Sequence, residues 1–233
     1  MLPMWTNILI SLRISLMATG LVMAAGLPLA WALSRPHWRG RRALDIAVNL
    51  PLALPPTVLG YYLLLLIGRT GPVGRLTRAL WGSTLIFTQT AAVLASAVVC
   101  LPLFVQAARN ALEDVPEEVA EAAQVDGAGR WELFRHIYAP MAWPGIWTGV
   151  LLAYARSLGE FGATLMVAGN IPGKTQTMAL AIYSAVQSGQ QSTAHLLALL
   201  LTGVAGLSMW LGLRFRKPGS GGSAIHAHRG RPQ

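Results

Sequence analysis

The sequence predicts an all-α polytopic membrane protein with about five transmembrane helices. Three observations carry that expectation. Hydrophobic residues make up 54% of the 233 residues and charged residues only 12%, against about 25% charged in a soluble domain. Mean hydropathy is +0.50, and so little charge cannot cover a water-soluble globule of this size. The apolar residues fall in long continuous runs rather than alternating ones, which suits spanning helices and not barrel strands. The one cysteine, Cys100, excludes an internal disulfide and any multi-cysteine metal site. A soluble enzyme, a disordered chain and a disulfide scaffold are therefore poor readings, and one domain is expected.

A span takes roughly 20 predominantly apolar residues. The first run, residues 14–33, is uncharged. Its helix is expected to begin near Asn7, with Arg13 snorkelling to the interface. A cleaved leader with Ala30-Trp31-Ala32 as its site is disfavoured, because positive charge follows the apolar run instead of preceding it. The second run, 46–67, is interrupted by Pro55-Pro56-Thr57. Such breaks are tolerated where backbone lines a cavity, so Thr57 is a candidate translocation-pathway residue; the plain alternative is a kink. The third run, 79–108, is uncharged and longer than a bilayer requires. Within it, Cys100 beside Pro102 reads as packing.

The fourth run, 143–167, holds Arg156 and Glu160, an i,i+4 pair of opposite charge. Charge inside a bilayer is costly and turns toward the bundle interior or a water-filled path. The pair is either a pathway element or an ion pair that fixes a bend at Gly159 and Gly162. An anion path has little use for a bare carboxylate, so Glu160 reads as a partner for Arg156. The fifth run is 196–213, and a sixth short or re-entrant helix near 178–187 is left open.

Lys and Arg in the loops set orientation. None precedes the first span, whereas Arg35, Arg39, Arg41 and Arg42 follow it. The N-terminus is therefore expected outside. Alternation then puts twelve loop and tail cations inside against four outside, namely Arg69, Arg75, Arg78 and Lys174. The net charge of +9 belongs to segments facing an anionic leaflet and implies no nucleic acid. The expected organisation is an external stretch 1–6, a transmembrane domain 7–213 in the lipid bilayer, an inner loop 109–142 within it, and a disordered basic cytoplasmic tail 214–233. His226 and His228 in that tail are weak metal candidates, and no metal or other cofactor is expected.

The inner loop is the informative segment. Between Arg109 and Arg135 it carries seven of the nine acidic residues of the chain: Glu113, Asp114, Glu117, Glu118, Glu121, Asp126 and Glu132. A loop lying on anionic lipid should be basic, so this one suits a protein partner better. The alternative is an ordinary solvated loop. Asp114 is expected to N-cap a helix with Glu117 three residues on, as in a capping box. Glu117 and Glu118 suit the positive end of the helix dipole, and Gly127 is a natural stop. A second short helix should follow, with Trp131, Phe134 and Tyr138 on one face. Ala120, Ala122 and Ala123 give the first helix a small-residue face.

Glu121-Ala122-Ala123, then Gly127, Ile137 and Pro140, reproduce the spacing E-A-A-x3-G-x9-I-x-L-P. The segment resembles the EAA motif of type I ABC importer permeases, with Ala139 in place of the usual Leu. Three further segments resemble molybdate permeases of the ModB type: Leu54 to Gly60 (LPPTVLG), Arg156 to Thr164 (RSLGEFGAT) and Asn170 to Thr175 (NIPGKT). Sulfate permeases share much of the second. The resemblance implies a type I ABC importer permease fold, packed as a homodimer with a second permease copy around one pathway. It also implies two copies of an ATP-binding subunit at the cytoplasmic face and an external molybdate-binding protein. Glu121, Ala122, Ala123, Gly127, Ile137 and Pro140 would be the ATPase-coupling residues. Tungstate and sulfate are the alternative cargoes.

Ala168 to Thr175 also fits a relaxed phosphate-loop pattern, A-x4-G-K-T. The strict form begins with Gly and joins a strand to a helix, whereas this segment follows a span, contains Pro172 and is expected outside. The chain is thus expected to be no enzyme, with ATP hydrolysis by a separate subunit. An ion-coupled carrier would show inverted repeats and several intramembrane carboxylates, yet Glu160 is nearly alone. An intramembrane enzyme would need a nucleophile–base pair or a metal set. His136 and His195 sit at span borders without either.

Overall fold

The computed structural model describes residues 4–35 and 39–214. All regular structure among them is helical. Three helices are long and apolar enough to cross a membrane unbroken: α1 (Met4–Ser34), α5 (Gln89–Glu113) and α11 (Gln191–Arg214). Two more spans arise if each of two bent helix pairs counts as one. The first pair is α2 (Arg41–Ala53) with α3 (Pro56–Ile67), bent by 118°. The second is a long helix from Arg130 to Leu158 with α9 (Gly162–Ala168), bent by 62°. Between these lie α4 (Pro72–Trp81), α6 (Glu117–Val125) and α10 (Met178–Gln187). The long helix itself consists of α7 (Arg130–Leu133), a π-helical turn Phe134–Tyr138, and α8 (Ala139–Leu158).

α5 is the centre of the bundle. One face of α1, running through Ile10, Ile14, Ala18, Val22 and Ala30, is buried at helical spacing. The other face exposes Leu9, Leu16, Met17 and Leu21. That surface is intelligible where the solvent is lipid rather than water. Gly26 lets α1 approach closely, because a Cβ there would stand 2.5 Å from Phe104 Cδ1, and Phe104 is wholly buried. α8 packs on α5 in the same manner, Gly145 lying where a Cβ would meet Ala111 Cβ at 2.4 Å. Small residues at close helix crossings are how helices associate without a hydrophobic drive. α11 packs little, with only 11% of its most apolar window buried. It is pinned by the Trp147 indole N–H donating to Gly212 O (2.9 Å).

Several expectations need correction. The second run is not one straight helix: Pro55 has no N–H to continue a ladder and restricts Leu54 to extended backbone, observed at ψ 141°. The third span does not start at Ala79. α4 stops at Gly82 in the left-handed region (φ 67°), and α5 starts after Thr88, whose Oγ1 accepts the Ala91 N–H (3.3 Å). Nor does it end at Ala108, since it continues to Glu113. The helix that leads into the fourth span begins at Arg130, well before Trp143, so among the described residues the expected second short helix is its first turns rather than a separate element. The residues 178–187 do form the short helix left open above, with Thr177 as its cap. The basic tail lies outside the described residues except Arg214.

Candidate functional site

α6 is a nine-residue helix, about 13 Å long at 1.5 Å per residue. Its start differs from the capping box expected at Asp114. Asp114 instead closes α5, its N–H donating to Asn110 O (2.9 Å). Pro116 forces Val115 out of the helical region, so helix begins only at Glu117, with no side-chain cap. Glu117 and Glu118 stand in the first turn, where the dipole favours them. Gly127 is the stop, at φ 91°. Its N–H donates to Gln124 O (3.0 Å), and the Ala128 N–H to Ala123 O (3.0 Å), satisfying carbonyls that a helix end leaves orphaned. The next helix is started by Glu132, whose Oε2 accepts the Gly129 N–H (2.8 Å).

The motif residues divide by position. Ala123, Gly127 and Ile137 line one cleft of about 460 Å³ with Asp126, Ala128, Glu132 and His136. Glu121 and Ala122 face outward from α6, and no Glu121 partner exists among the described residues. Pro140 is exposed in the first turn of α8. Ala120, 2% exposed, is the side of α6 turned to the protein, while Val125 is 88% exposed. α6 thus has a buried alanine beneath it and an uncovered apolar and acidic face.

The elbow beyond α6 is fixed by aromatic packing. Trp31 of α1 meets Phe134 at 4.8 Å and Tyr138 at 4.9 Å between ring centroids, and the Arg35 guanidinium lies 3.9 Å from the Trp31 ring. The π-helical turn inserts an extra residue into the ladder, which aims Phe134 and Tyr138 at Trp31. Trp131 shares that face, its ring stacking on Phe134 at 5.7 Å between centroids, but it is 68% exposed.

The two breaks meet. A Cβ on Gly162 would lie 3.2 Å from both Pro56 Cβ and Thr57 Cγ2, and one on Gly60 would lie 2.8 Å from Ala163 Cα. Thr57 itself is exposed at the start of α3. Arg156 Nη1 lies 2.8 Å from Glu160 Oε2, with side-chain exposures of 34% and 1%. The contact is a close ion pair rather than a well-directed hydrogen bond, since Oε2 has no partner of hydrogen-bond geometry. Oε1 accepts the Ala163 N–H (2.9 Å). Glu160 thus holds the cation before the break and caps the helix after it. Phe161 against Tyr183, at 4.9 Å, ties the break to α10.

The Asn170–Thr175 segment is internally committed. Asn170 Nδ2 donates to Ser184 Oγ (2.6 Å) and its Oδ1 accepts from Gln176 Nε2 (3.0 Å). Thr175 Oγ1 accepts the Ile171 N–H (3.1 Å). No helix starts at Thr175, so the phosphate-loop context is missing, as expected. In the sequence Arg41, Arg109 and Glu113 stand only as loop charge, and Asp45 only as a carboxylate at the edge of a span. The structure joins all four through ion pairs, a pattern visible from sequence only once α2 is known to lie beside α5.

This chain belongs to the family of binding-protein-dependent transport system inner membrane components, whose model matches residues 17–216. It is a multi-pass transport permease subunit of the inner membrane. It is 44% identical over 191 residues to the putative molybdenum transport system permease protein YvgM of Bacillus subtilis, covering 82% of this chain and 84% of that one. It is 43% identical over 208 residues to the molybdenum transport system permease protein ModB of Escherichia coli K12, covering 89% and 91%. Its fold is that of the inward-facing MetNI methionine ABC transporter, with TM-score 0.72, 20% identity, and 89% of this chain and 92% of that one covered.

Proposed function

We propose that this chain is the membrane-spanning subunit of an ATP-driven importer that carries molybdate inward. The observation that supports it most is the likeness, over most of the chain, to permeases named for molybdenum transport. In this reading two copies form the pathway, and two ATP-binding subunits dock from the cytoplasm on α6. An external molybdate-binding protein delivers the oxyanion. The N-terminus with residues 1–6 is outside, residues 7–213 form the membrane domain, the loop 109–142 is cytoplasmic, and the tail 214–233 is inside. The lightly packed faces of α11 and α1 are available to the second copy and to lipid.

Glu121, Ala122 and Ala123 form the docking face, and Gly127 turns the chain. Ile137 and Pro140 anchor the lever to the fourth span. A docked lever transmits motion only if its partner binds it differently in two states. The contact between the Pro55–Pro56 and Gly159–Gly162 breaks is the element whose rearrangement opens the path. Arg156 and Glu160 hold its shape, and Thr57 stands on its exposed side.

The test uses vesicles containing the permease, its ATPase and the binding protein. Labelled molybdate is expected to enter only with ATP. Unlabelled tungstate is expected to compete, and sulfate at about tenfold excess is not, a discrimination of about 1.4 kcal/mol. Faster uptake of sulfate than of molybdate would replace the cargo with the sulfate alternative.

A further inference from the structure

At the end of the bundle from which α6 projects, six polar side chains join α2 to α5 in one ladder. Arg41 Nε donates to Leu33 O (2.9 Å), and its Nη2 lies 3.3 Å from Glu113 Oε1. The same carboxylate oxygen takes Arg109 Nε at 2.9 Å. Arg109 Nη1 reaches Asp45 Oδ2 at 3.1 Å. Asp45 Oδ1 accepts from Asn49 Nδ2 (2.7 Å), and Asn49 Oδ1 accepts from Gln106 Nε2 (2.6 Å). An isolated pair as exposed as these is worth little. Here Asp45, Asn49, Arg109 and Glu113 each bond two neighbours, and such a network is stiffer than its pairs taken singly. Two arginines against an aspartate and a glutamate leave it neutral, so it is not a basic patch for lipid headgroups.

What the ladder joins gives it meaning. α5 ends at Glu113, a ladder member, and the chain then turns through Asp114 and Pro116 into α6. α2 runs from Arg41 to Ala53 and stops at the Pro55 break, beyond which α3 packs on α9. We propose that the ladder makes α2 and the inner half of α5 one rigid body, with Arg109 as its central positioning residue. Displacement of α6 is thereby carried along α2 to the Pro55–Pro56 break. Without the ladder, α6 would push only on α5 and on the elbow at Arg130. The inference rests on α6 being the ATPase-docking helix. Energetic coupling of this kind needs an element with two positions that both sites bias. The α2–α5 body is that element.

The test uses the complete reconstituted complex and reads oxyanion uptake and ATP hydrolysis in the same vesicles. Arg109→Ala is expected to lower uptake per ATP hydrolysed by about tenfold, with the ATPase still bound and still hydrolysing. Arg109→Lys recovers part of it. A second arm, in a Cys100→Ala background, joins Asn49→Cys to Gln106→Cys with a short bis-maleimide. Linking is expected to leave uptake intact and to restore coupling to Arg109→Ala. Unchanged uptake per ATP in Arg109→Ala overturns the proposal. So does arrest of uptake on linking, which would mean that α2 and α5 slide past each other. If Arg109→Ala fails to assemble, the linked form of that variant decides: assembly with poor coupling overturns the proposal, and assembly with restored coupling supports it. Failure of the underlying reading is distinct, because the unsubstituted complex would then take up nothing with ATP.

Discussion

Gly127→Pro is expected to leave the protein in the membrane, strip it of its ATPase, and reduce ATP-dependent uptake to background. Gly127 sits at φ 91°, and proline is locked near −65°. The substitution also deletes the N–H that donates to Gln124 O at 3.0 Å. Nothing lies within 4 Å of a Cβ at this position, so the whole effect comes from the backbone rather than from a clash. The cost is about 3 kcal/mol or more, about a hundredfold in the population of correctly turned loops. Alanine should cost about 1–2 kcal/mol, and asparagine, which visits this region more easily, less. Co-purified ATPase and uptake are therefore expected to fall in the order Gly, Asn, Ala, Pro. ATPase recovery unchanged across that series would remove α6 from the coupling path.

Arg156→Ala is expected to have the second largest effect, acting on the break rather than on docking. It leaves the Glu160 carboxylate, 1% exposed, without a counter-charge. Removing one partner of a buried pair costs about 3–5 kcal/mol. The lower end applies here, because Arg156 is one-third exposed and partly screened. Glu160→Gln should be milder, since its amide oxygen still accepts the Ala163 N–H that Oε1 holds at 2.9 Å. The double variant Arg156→Met with Glu160→Gln separates the two roles. If the pair only holds the bend, the double variant recovers both assembly and uptake. If Arg156 also serves the path, assembly recovers and uptake stays low. Purified complex yield and labelled oxyanion uptake read the two outcomes.

The residues that announce themselves in sequence are those whose chemistry is local. Gly127 is legible because only glycine is at ease at positive φ, and its distance from Glu121-Ala122-Ala123 is fixed by one short helix. Pro55-Pro56 and Gly159–Gly162 are legible as breaks because proline and glycine interrupt helices on their own. The size of each bend is not, since 118° and 62° are set by what the second half packs on. Apolar content alone puts the third span too early, because Gly82 and Thr88 act through backbone shape and one hydrogen bond rather than through hydropathy. Asp114 suits a cap on its own, but Pro116 displaces the helix start to Glu117, one local preference overriding another. The Arg41–Glu113–Arg109–Asp45 ladder was invisible because α2 and α5 are distant in sequence, and only packing brings them side by side.

The proposed mechanism rests on an acidic, capless helix on the inner side that receives its power from a separate ATPase. It is tested most directly by labelling Glu121→Cys in a Cys100→Ala background with a membrane-impermeant maleimide. No label is expected in intact cells, full label in inside-out vesicles stripped of the ATPase, and protection when the ATPase is returned. Label reaching Glu121→Cys from outside intact cells, or label in stripped vesicles that the ATPase does not block, would contradict it.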